Sequence, residues 1–395
     1  MVSLPRLPRR HPDKLLYGVT AGVSAWALLK GQLADMSARG WDVAVVATDD
    51  DRFRAAGKRE GVRLLPVAME REIAPAADLK ALGAWILLLA RGRPAVLNVG
   101  TPKAALLGGI AGWITRVPRR VYVVRGLRFE GARGRKRSVL LAMERLTMAC
   151  ATDVVVVSRS VGQEMIAAGL TSKQLLLVGD GSSNGVDGVG VGRRAAEVDA
   201  QAVREQFDIP QNHLVVAFVG RLTLDKGAAV LAGALHELRR RGVGVTLLAI
   251  GDAESEQAEE LLRDPEISVA LTGWTDDPIQ YLAASDVLVL PTRREGYPNV
   301  VLEANACGVP VVTTTATGAV DSVVDGETGL LIPIDDAPAL ADALIRLAQD
   351  GELRAGMAAA ARERAVTKFS PARIWDGLDS IYRGSASDDV SVVTA

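Results

Sequence analysis

Residues 295–303 read Glu-Gly-Tyr-Pro-Asn-Val-Val-Leu-Glu, directly after the apolar run Val-Leu-Val-Leu-Pro at 287–291. The apolar run has the length and residue types of a buried strand. Pro298 and Asn299 then read as the entry to a helix whose buried face begins at Val300. That reading leaves Glu295 in the loop and puts Glu303 one turn into the helix, so both carboxylates face the carboxyl end of one strand. The amides of Tyr297 through Val300 would stand at the helix N-terminus, where the dipole and unpaired N–H groups suit an anion. The alternative is a pair of surface carboxylates flanking a buried helix.

Outward from this stretch the chain repeats short β-branched runs followed by amphipathic helical patterns, the signature of parallel sheets with crossover helices. In the second half the expected strands are 215–219, 245–250, 287–290 and 309–313, with helices at 228–241, 255–262, 299–306, 338–349 and 352–368. In the first half the strands are 15–19, 43–48, 62–66, 95–99, 121–124 and 154–157, with helices at 28–39, 78–91, 102–114 and 135–149. Pro102 suits a first helical turn, and Thr101 before it suits a cap. Between the halves, 179–200 is rich in Gly and small residues and reads as a flexible connection. A calcium loop at Asp180, Ser182, Asn184 and Gly185 fails because its twelfth position is Val191, not the bidentate Glu such a site needs.

Composition bounds the chemistry. The 395 residues carry 46 Lys plus Arg against 47 Asp plus Glu, a net charge of -1, which argues against a nucleic-acid partner. Two cysteines, Cys150 and Cys307, exclude a disulfide scaffold and fit a reducing, cytoplasmic setting. Three histidines, His11, His213 and His236, leave no plausible metal cluster, so no metal or other cofactor is expected. Arg9, Arg10 and Lys14 ahead of the uncharged run 15–29 resemble a signal peptide. The rival reading is a strand, a turn near Gly22 and a helix entered at Ser24 that ends at Gly40. No run is long enough to span a membrane.

Three further features invite a ligand. Gly220-Arg221-Leu222-Thr223-Leu224-Asp225-Lys226-Gly227 follows a strand and carries two cations near glycines that admit close backbone approach. Arg supplies a fork and Lys a point charge for a diphosphate. The loop from Gly18 to Ser24 lacks the GxGxxG spacing of a dinucleotide site but allows a phosphate or sugar to approach. The tract 119–145 holds nine Lys or Arg, with Leu140, Leu141, Met143 and Leu146 beside them. It reads as a surface for anionic lipid or a phosphate-bearing acceptor, or as a solvated helix face.

The order LLKGQLADMSARGWDV (28–43), LNVGTPKAALLG (97–108), RGLRFEG (125–131), VSRS (157–160), NGVD (184–187), GRLTLDKG (220–227), GWTDD (273–277) and EGYPNVVLEANACGVPVVTT (295–314) resembles retaining glycosyltransferase family 4, group 1. The resemblance spans about 15–382 and is most specific in the second half. It implies an α/β GT-B fold: two Rossmann-like doubly wound parallel-sheet lobes facing a cleft. The acceptor-side lobe would be 1–185, joined by a returning helix in 370–395, and the nucleotide-sugar lobe 186–369.

The resemblance further implies retaining transfer of a hexose-type sugar from a nucleotide-diphosphate sugar, with uracil the expected base, to a hydroxyl acceptor and without a metal. Catalytic roles fall to Glu295, Arg221, Lys226 and Arg125. Arg221 and Lys226 would hold the diphosphate, Glu303 the ribose, and Glu295 the transferred sugar. Gly296, Tyr297, Pro298, Asn299 and Val300 would contact phosphate or sugar, with Gly22, Gly220, Gly251, Gly273 and Trp274 completing the donor site. Thr101, Lys103, Arg125, Arg128, Arg135, Lys136 and Arg137 make the acceptor or membrane side. Many relatives carry His-Gly where this chain has Arg125-Gly126. Arg125 cannot serve as a base, which leaves it an acceptor phosphate or the leaving diphosphate. The expected acceptor is a polyprenyl-diphosphate-linked glycan, with peripheral contact to the inner membrane face, or a small natural product. The competing functions are a sugar-nucleotide epimerase or phosphorylase and a non-catalytic bilobed sugar-binding protein.

Overall fold

The computed structural model describes residues 11–70 and 72–394. In chain order the elements begin β1 (His11–Gly18), α1 (Gly22–Leu28), α2 (Gln32–Ala38), β2 (Asp42–Ala47), α3 (Asp51–Glu60), β3 (Arg63–Pro66), α4 (Pro75–Gly92) and β4 (Pro94–Val99). They continue α5 (Pro102–Ile114), β5 (Arg119–Val124), α6 (Gly134–Cys150), β6 (Asp153–Val156), α7 (Arg159–Ala167) and β7 (Leu175–Val178). Then follow α8 (Gly188–Ala196), α9 (Ala200–Gln206), β8 (Leu214–Val219), α10 (Ala228–Arg240), β9 (Val245–Ile250), α11 (Glu256–Arg263), β10 (Ser268–Gly273) and α12 (Ile279–Ala283). The chain closes with β11 (Val287–Leu290), α13 (Asn299–Cys307), β12 (Val311–Thr314), β13 (Gly329–Ile332), α14 (Ala337–Gln349), α15 (Gly351–Lys368), α16 (Pro371–Arg383) and β14 (Val390–Val393).

These elements make two compact units. One comprises 1–157, 162–179 and 374–395, and the other 158–161 and 180–373. Apart from the short segment 158–161, the main change of unit falls at 179/180, against a boundary expected at 185/186, and the return lies inside α16. The first unit holds an eight-stranded sheet in the order β14-β7-β6-β5-β4-β1-β2-β3. Every pairing in it is parallel except β14 on β7. The second holds a six-stranded parallel sheet in the order β10-β9-β8-β11-β12-β13. Strand order reverses between β1 and β4 in one sheet and between β8 and β11 in the other. Those are the switch points where open α/β sheets bind ligands.

Strand alternation builds the cores. In β8, Leu214, Val216 and Phe218 face one cluster with α10 and α14, while Val215 and Ala217 face another with α13. Sheets covered on both faces need such continuous apolar strands. In the first unit, Tyr17, Asn98 and Tyr382 form a buried polar chain: Asn98 Nδ2 donates to the Tyr382 hydroxyl, which donates to Tyr17 at 3.2 Å. Trp41 Nε1 donates to Asp379 at 2.6 Å, so α16 is fixed to the first sheet by polar contacts as well as by Ile374, Leu378 and Ile381.

Four expectations are corrected. The apolar run 15–29 is divided between β1, a central strand, and α1, which begins at Gly22 rather than Ser24. Arg9 and Arg10 lie outside the described residues. The helix expected at 28–39 breaks at Gly31, whose φ is +76°, because the buried Glu60 carboxylate accepts from the Gly31 and Ala34 amides and starts α2 there. The connection at 179–200 is ordered. Asp187 caps α8 through the Gly190 amide at 2.9 Å, and Ser182, Ser183 and Asn184 are buried. A Cβ on Gly188 would stand 3.1 Å from Val366, so the small residues that read as flexibility permit close helix approach. Thr101 does sit at the start of α5, but its hydroxyl bonds to Thr20 at 2.8 Å rather than capping the helix.

Glu144 on α6 is buried, and the Tyr122 hydroxyl donates to it at 3.0 Å. Burial pushes its pKa up to about 7, opposed by Tyr122 and by Arg128. A carboxyl raised in the folded state binds more protons there than when unfolded, so stability falls as pH rises from the unfolded value towards 7. Glu144→Gln is expected to raise the thermal midpoint at pH 8, by the equivalent of about 2–3 kcal/mol, and to lose that advantage at pH 5. Melting curves at the two pH values check this; an equal shift at both would show that the ionised carboxylate carries no penalty.

Candidate active site

In the second unit the expected donor residues converge on the carboxyl ends of adjacent strands. Gly220 follows β8, Gly251 follows β9 and Gly273 closes β10. Gly251 (φ +138°) has room for no side chain, since a Cβ there would lie 2.2 Å from the Gly220 carbonyl oxygen. Trp274, just beyond Gly273, is 54% exposed and offers an aromatic face.

The loops after β8 and β11 meet across the switch point. Lys226 Nζ donates to Glu295 Oε1. Glu295 is far less exposed than Lys226, its side chain at 12% and the lysine's at 30%. Pairing of partly buried charges keeps each from being an uncompensated charge. A second pair, Arg294 with Asp225, doubles the tie, and Arg293 donates to Asp335 at 2.7 Å. The Arg293 amide donates to the Asp225 carbonyl at 2.9 Å. Arg221, on the same β8 loop, pairs with Glu254 at 2.7 Å on a more exposed surface.

Past Glu295 the chain enters α13 through Pro298, which offers no side-chain cap. The Asn299 and Val300 amides therefore belong to a first turn whose N–H groups lack carbonyl partners four residues back. Asn299 Oδ1 is buried with no hydrogen-bond partner among the described residues. Glu303 lies half-buried on α13, where its charge helps push the Cys307 thiol up to about 12 after burial itself. Tyr297 takes a structural part: its ring packs on Phe369 at 5.5 Å and its hydroxyl donates to the Asp321 carbonyl at 3.3 Å.

Several residues that order this loop escaped the sequence reading. The Glu295 amide donates to the Thr317 carbonyl at 2.8 Å. Gly318 has φ +76°, and a Cβ on it would stand 2.5 Å from the Glu295 carbonyl oxygen. Its amide donates to Ser160 Oγ at 2.7 Å, and that hydroxyl donates to Asp321. GA in Thr-Gly-Ala at 317–319 is a turn signal in the sequence, but nothing local ties it to Glu295.

The first-unit residues separate into two sets. Gly22 is engaged inward, its amide donating to Asp50 Oδ2 at 3.0 Å. Lys103 is buried, paired with Asp78 at 2.6 Å and donating to the Glu72 carbonyl. Arg128 lies 3.8 Å from Glu72. Arg125 is turned inward as well. Arg135, Lys136 and Arg137, in contrast, are exposed in the first turn of α6, with Val139 and Leu146 exposed further along. Leu140, expected on that apolar face, packs inside. Among the described residues no group of three or more His, Cys, Asp or Glu is placed to hold a metal ion, and no helix is long and apolar enough to cross a membrane.

Two doubly wound units, the second with cations, an uncapped helix start and carboxylates at its switch point, define a GT-B architecture. The family model for glycosyl transferases group 1 matches residues 213–350, and that for the glycosyl transferase 4-like domain matches 25–181. The capsular polysaccharide biosynthesis glycosyltransferase CapM of Staphylococcus aureus is 36% identical over 376 residues, covering 94% of this chain and 97% of that one. The UDP-Gal:alpha-D-GlcNAc-diphosphoundecaprenol alpha-1,3-galactosyltransferase of Escherichia coli is 26% identical, covering 79% and 81%. HepE of Anabaena, solved with UDP-glucose, superimposes with a TM-score of 0.76 at 21% identity, covering 94% and 99%. The chain belongs to the group 1 glycosyltransferases of family 4. It is a glycosyltransferase, and the epimerase, phosphorylase and binding-protein readings are not favoured.

Gly318→Ala is expected to displace the Glu295 backbone, since the added methyl meets a carbonyl rather than a movable side chain. Misplacing a reacting group by about 1 Å costs up to about a hundredfold in rate. Sugar transfer should fall at least tenfold with the circular dichroism spectrum unchanged. Full activity would mean that the loop tolerates the shift.

Proposed function

We propose that the chain transfers a hexose-type sugar from a UDP-sugar to a hydroxyl acceptor with retention of anomeric configuration. The observation that carries this is the Lys226–Glu295 pair across the switch point, beside the uncapped start of α13. Arg221 and Lys226 take up the charge that develops on the departing diphosphate, aided by the Gly296 through Val300 backbone. Glu295 accepts hydroxyls of the transferred sugar, with Asn299 Oδ1 as a further acceptor, and Glu303 accepts the ribose hydroxyls. Gly273 and Trp274 border the base. With two cations serving the diphosphate, turnover is expected to be insensitive to a chelator.

In the retaining step the anomeric carbon–oxygen bond to the diphosphate breaks and the acceptor oxygen bonds to the same face. The acceptor proton passes to the departing phosphate oxygen. No protein base is needed, which fits Arg125 where many relatives carry a histidine. The uridine donor is supported by the naming of the Escherichia coli relative for UDP-Gal and by the HepE complex with UDP-glucose. The relative's diphosphoundecaprenol acceptor and the capsular role of CapM support a lipid-linked glycan.

Glu295→Ala is expected to abolish transfer with the fold intact. Lys226→Ala should weaken UDP binding by about 1.5–3 kcal/mol, the worth of a hydrogen bond to a charged group. Calorimetry with UDP, GDP and ADP, with and without a chelator, tests both donor and metal readings. Unchanged UDP affinity in Lys226→Ala would remove the lysine from the site.

The lipid-linked acceptor gives α6 a purpose. Its first turn contains Arg135, Lys136 and Arg137 and no acidic residue, against the preference of a helix N-terminus. Val139 and Leu146, exposed on the same helix, add an apolar row beside the charge, as interfacial helices do. Each cation near an anionic surface contributes about 1 kcal/mol. Neutralising all three should therefore weaken binding to phosphatidylglycerol vesicles at low salt by roughly a hundredfold, and leave binding to phosphatidylcholine unchanged. Equal binding to phosphatidylglycerol would return α6 to the status of a solvated face.

A further inference from the structure

Arg125 follows β5 directly and holds a charge that no described residue pairs by a hydrogen bond. Its Nε, Nη1 and Nη2 atoms are all buried without a hydrogen-bond partner among the described residues. Burial lowers its pKa to about 10, which still leaves it a cation at neutral pH. The groups that face it are the hydroxyls of Tyr17, Tyr122 and Tyr382, each kept protonated by its own burial. Of the nearby carboxylates, Asp379 accepts from Trp41 and Arg383, and Glu144 accepts from Tyr122. A buried cation without a partner is strongly destabilising, so the fold keeps this one against its own stability.

The seat is shaped for it. Nη1 lies 1.4 Å from where a Cβ of residue 100 would stand, so only glycine admits the guanidinium there. Gly100 follows β4, and its amide donates to the Gly18 carbonyl at 3.1 Å. That contact joins the ends of β4 and β1, the two strands at the switch point of this sheet. The next residue, Thr101, leads into α5, a 13-residue helix without a side-chain cap because that hydroxyl serves Thr20. A permanent cation and the positive end of a helix thus meet where such sheets receive ligands.

We propose that Arg125, seated on Gly100 beside the start of α5, is an oxyanion site that holds a phosphate group of the acceptor. The oxyanion site stands on the geometry of the first unit alone; its assignment to the acceptor rests on the transferase reading above. Lys103, the second residue of α5, is not part of it, being paired with Asp78. The phosphate belongs either to a prenyl diphosphate or to a soluble sugar phosphate, which present the same charged oxygens.

The test uses the full chain in a Lys226→Ala background, which weakens the donor site, with inorganic phosphate as the probe and thermal shift as the readout. Phosphate is expected to raise the melting temperature, and Arg125→Gln and Gly100→Ala each to weaken its binding at least tenfold, as losing a charge-assisted contact does. In phosphate-free buffer Arg125→Gln should melt at or above its parent, since it removes an unpaired charge. With Lys226 intact, Arg125→Gln should bind UDP as tightly as the unsubstituted chain. The proposal is overturned if the parent ignores phosphate, if phosphate binding survives Arg125→Gln, or if that variant melts well below its parent without phosphate. Parallel loss of UDP affinity would assign the cation to the donor instead. A prenyl diphosphate in micelles and a soluble sugar 1-phosphate, each competing against phosphate, separate the two sources; competition by neither overturns the acceptor assignment. Phosphate binding through Arg125 in a chain that ignores every nucleotide would sink the transferase reading and leave the oxyanion site standing.

Discussion

The ion pair between Lys226 and Glu295 fixes the geometry on which the second unit's chemistry depends. The two residues come from loops after β8 and β11, adjacent strands separated in sequence by two intervening strands and their helices. Without a tie, each loop would be free to choose its own conformation at the sheet edge. With it, the lysine is held against the carboxylate of the loop that leads into α13. The pair also explains why Glu295 tolerates a nearly buried position. A carboxylate there would otherwise be an uncompensated charge largely removed from solvent. Asp225 and Arg294 repeat the tie one residue away on each loop, so the register between the two loops is set twice.

The same logic of switch points orders the first unit, with a different outcome. There the two strand ends are joined by uncharged groups, Thr20 to Thr101 and Gly100 to Gly18. The charge, on Arg125, sits just past the next strand and has no hydrogen-bond partner among the described residues. One sheet therefore presents a balanced constellation, in which cation and anion neutralise each other, and the other presents a net positive one.

Much of this was legible in the sequence, and for a physical reason. Phosphate sites are built from local features: a strand, a glycine, a cation, a helix start. GRLTLDKG and EGYPNVVLE show all of these within a few residues, so the placing of Arg221, Lys226, Glu295 and Glu303 on the loops after β8 and β11 and on α13 was readable without coordinates. What was not legible depends on contacts between distant segments. Gly318 matters because it lies against Glu295, Gly100 because Arg125 lies on it, and neither partner is near in sequence. Lys103 looked available beside a helix start until its packing against Asp78 was seen. The stretch at 179–200 misled because glycines that weaken an isolated helix serve, in α8, to admit its neighbours. Local propensity described that segment alone, and packing decided it.

The last strand, β14, pairs antiparallel with β7 and completes the edge of a sheet whose other strands all precede residue 180. All of the second unit except residues 158–161 is synthesised between these two strands. At the usual pace of translation, about 5–20 residues per second, the ribosome spends roughly 10–40 s on the intervening chain. Throughout that interval β7 presents an open row of backbone donors and acceptors, the kind of edge that recruits stray strands. The nascent first unit thus waits with its sheet unfinished while its companion is made. Folding of the two units is coupled in time by gene order, whatever their independence as structures.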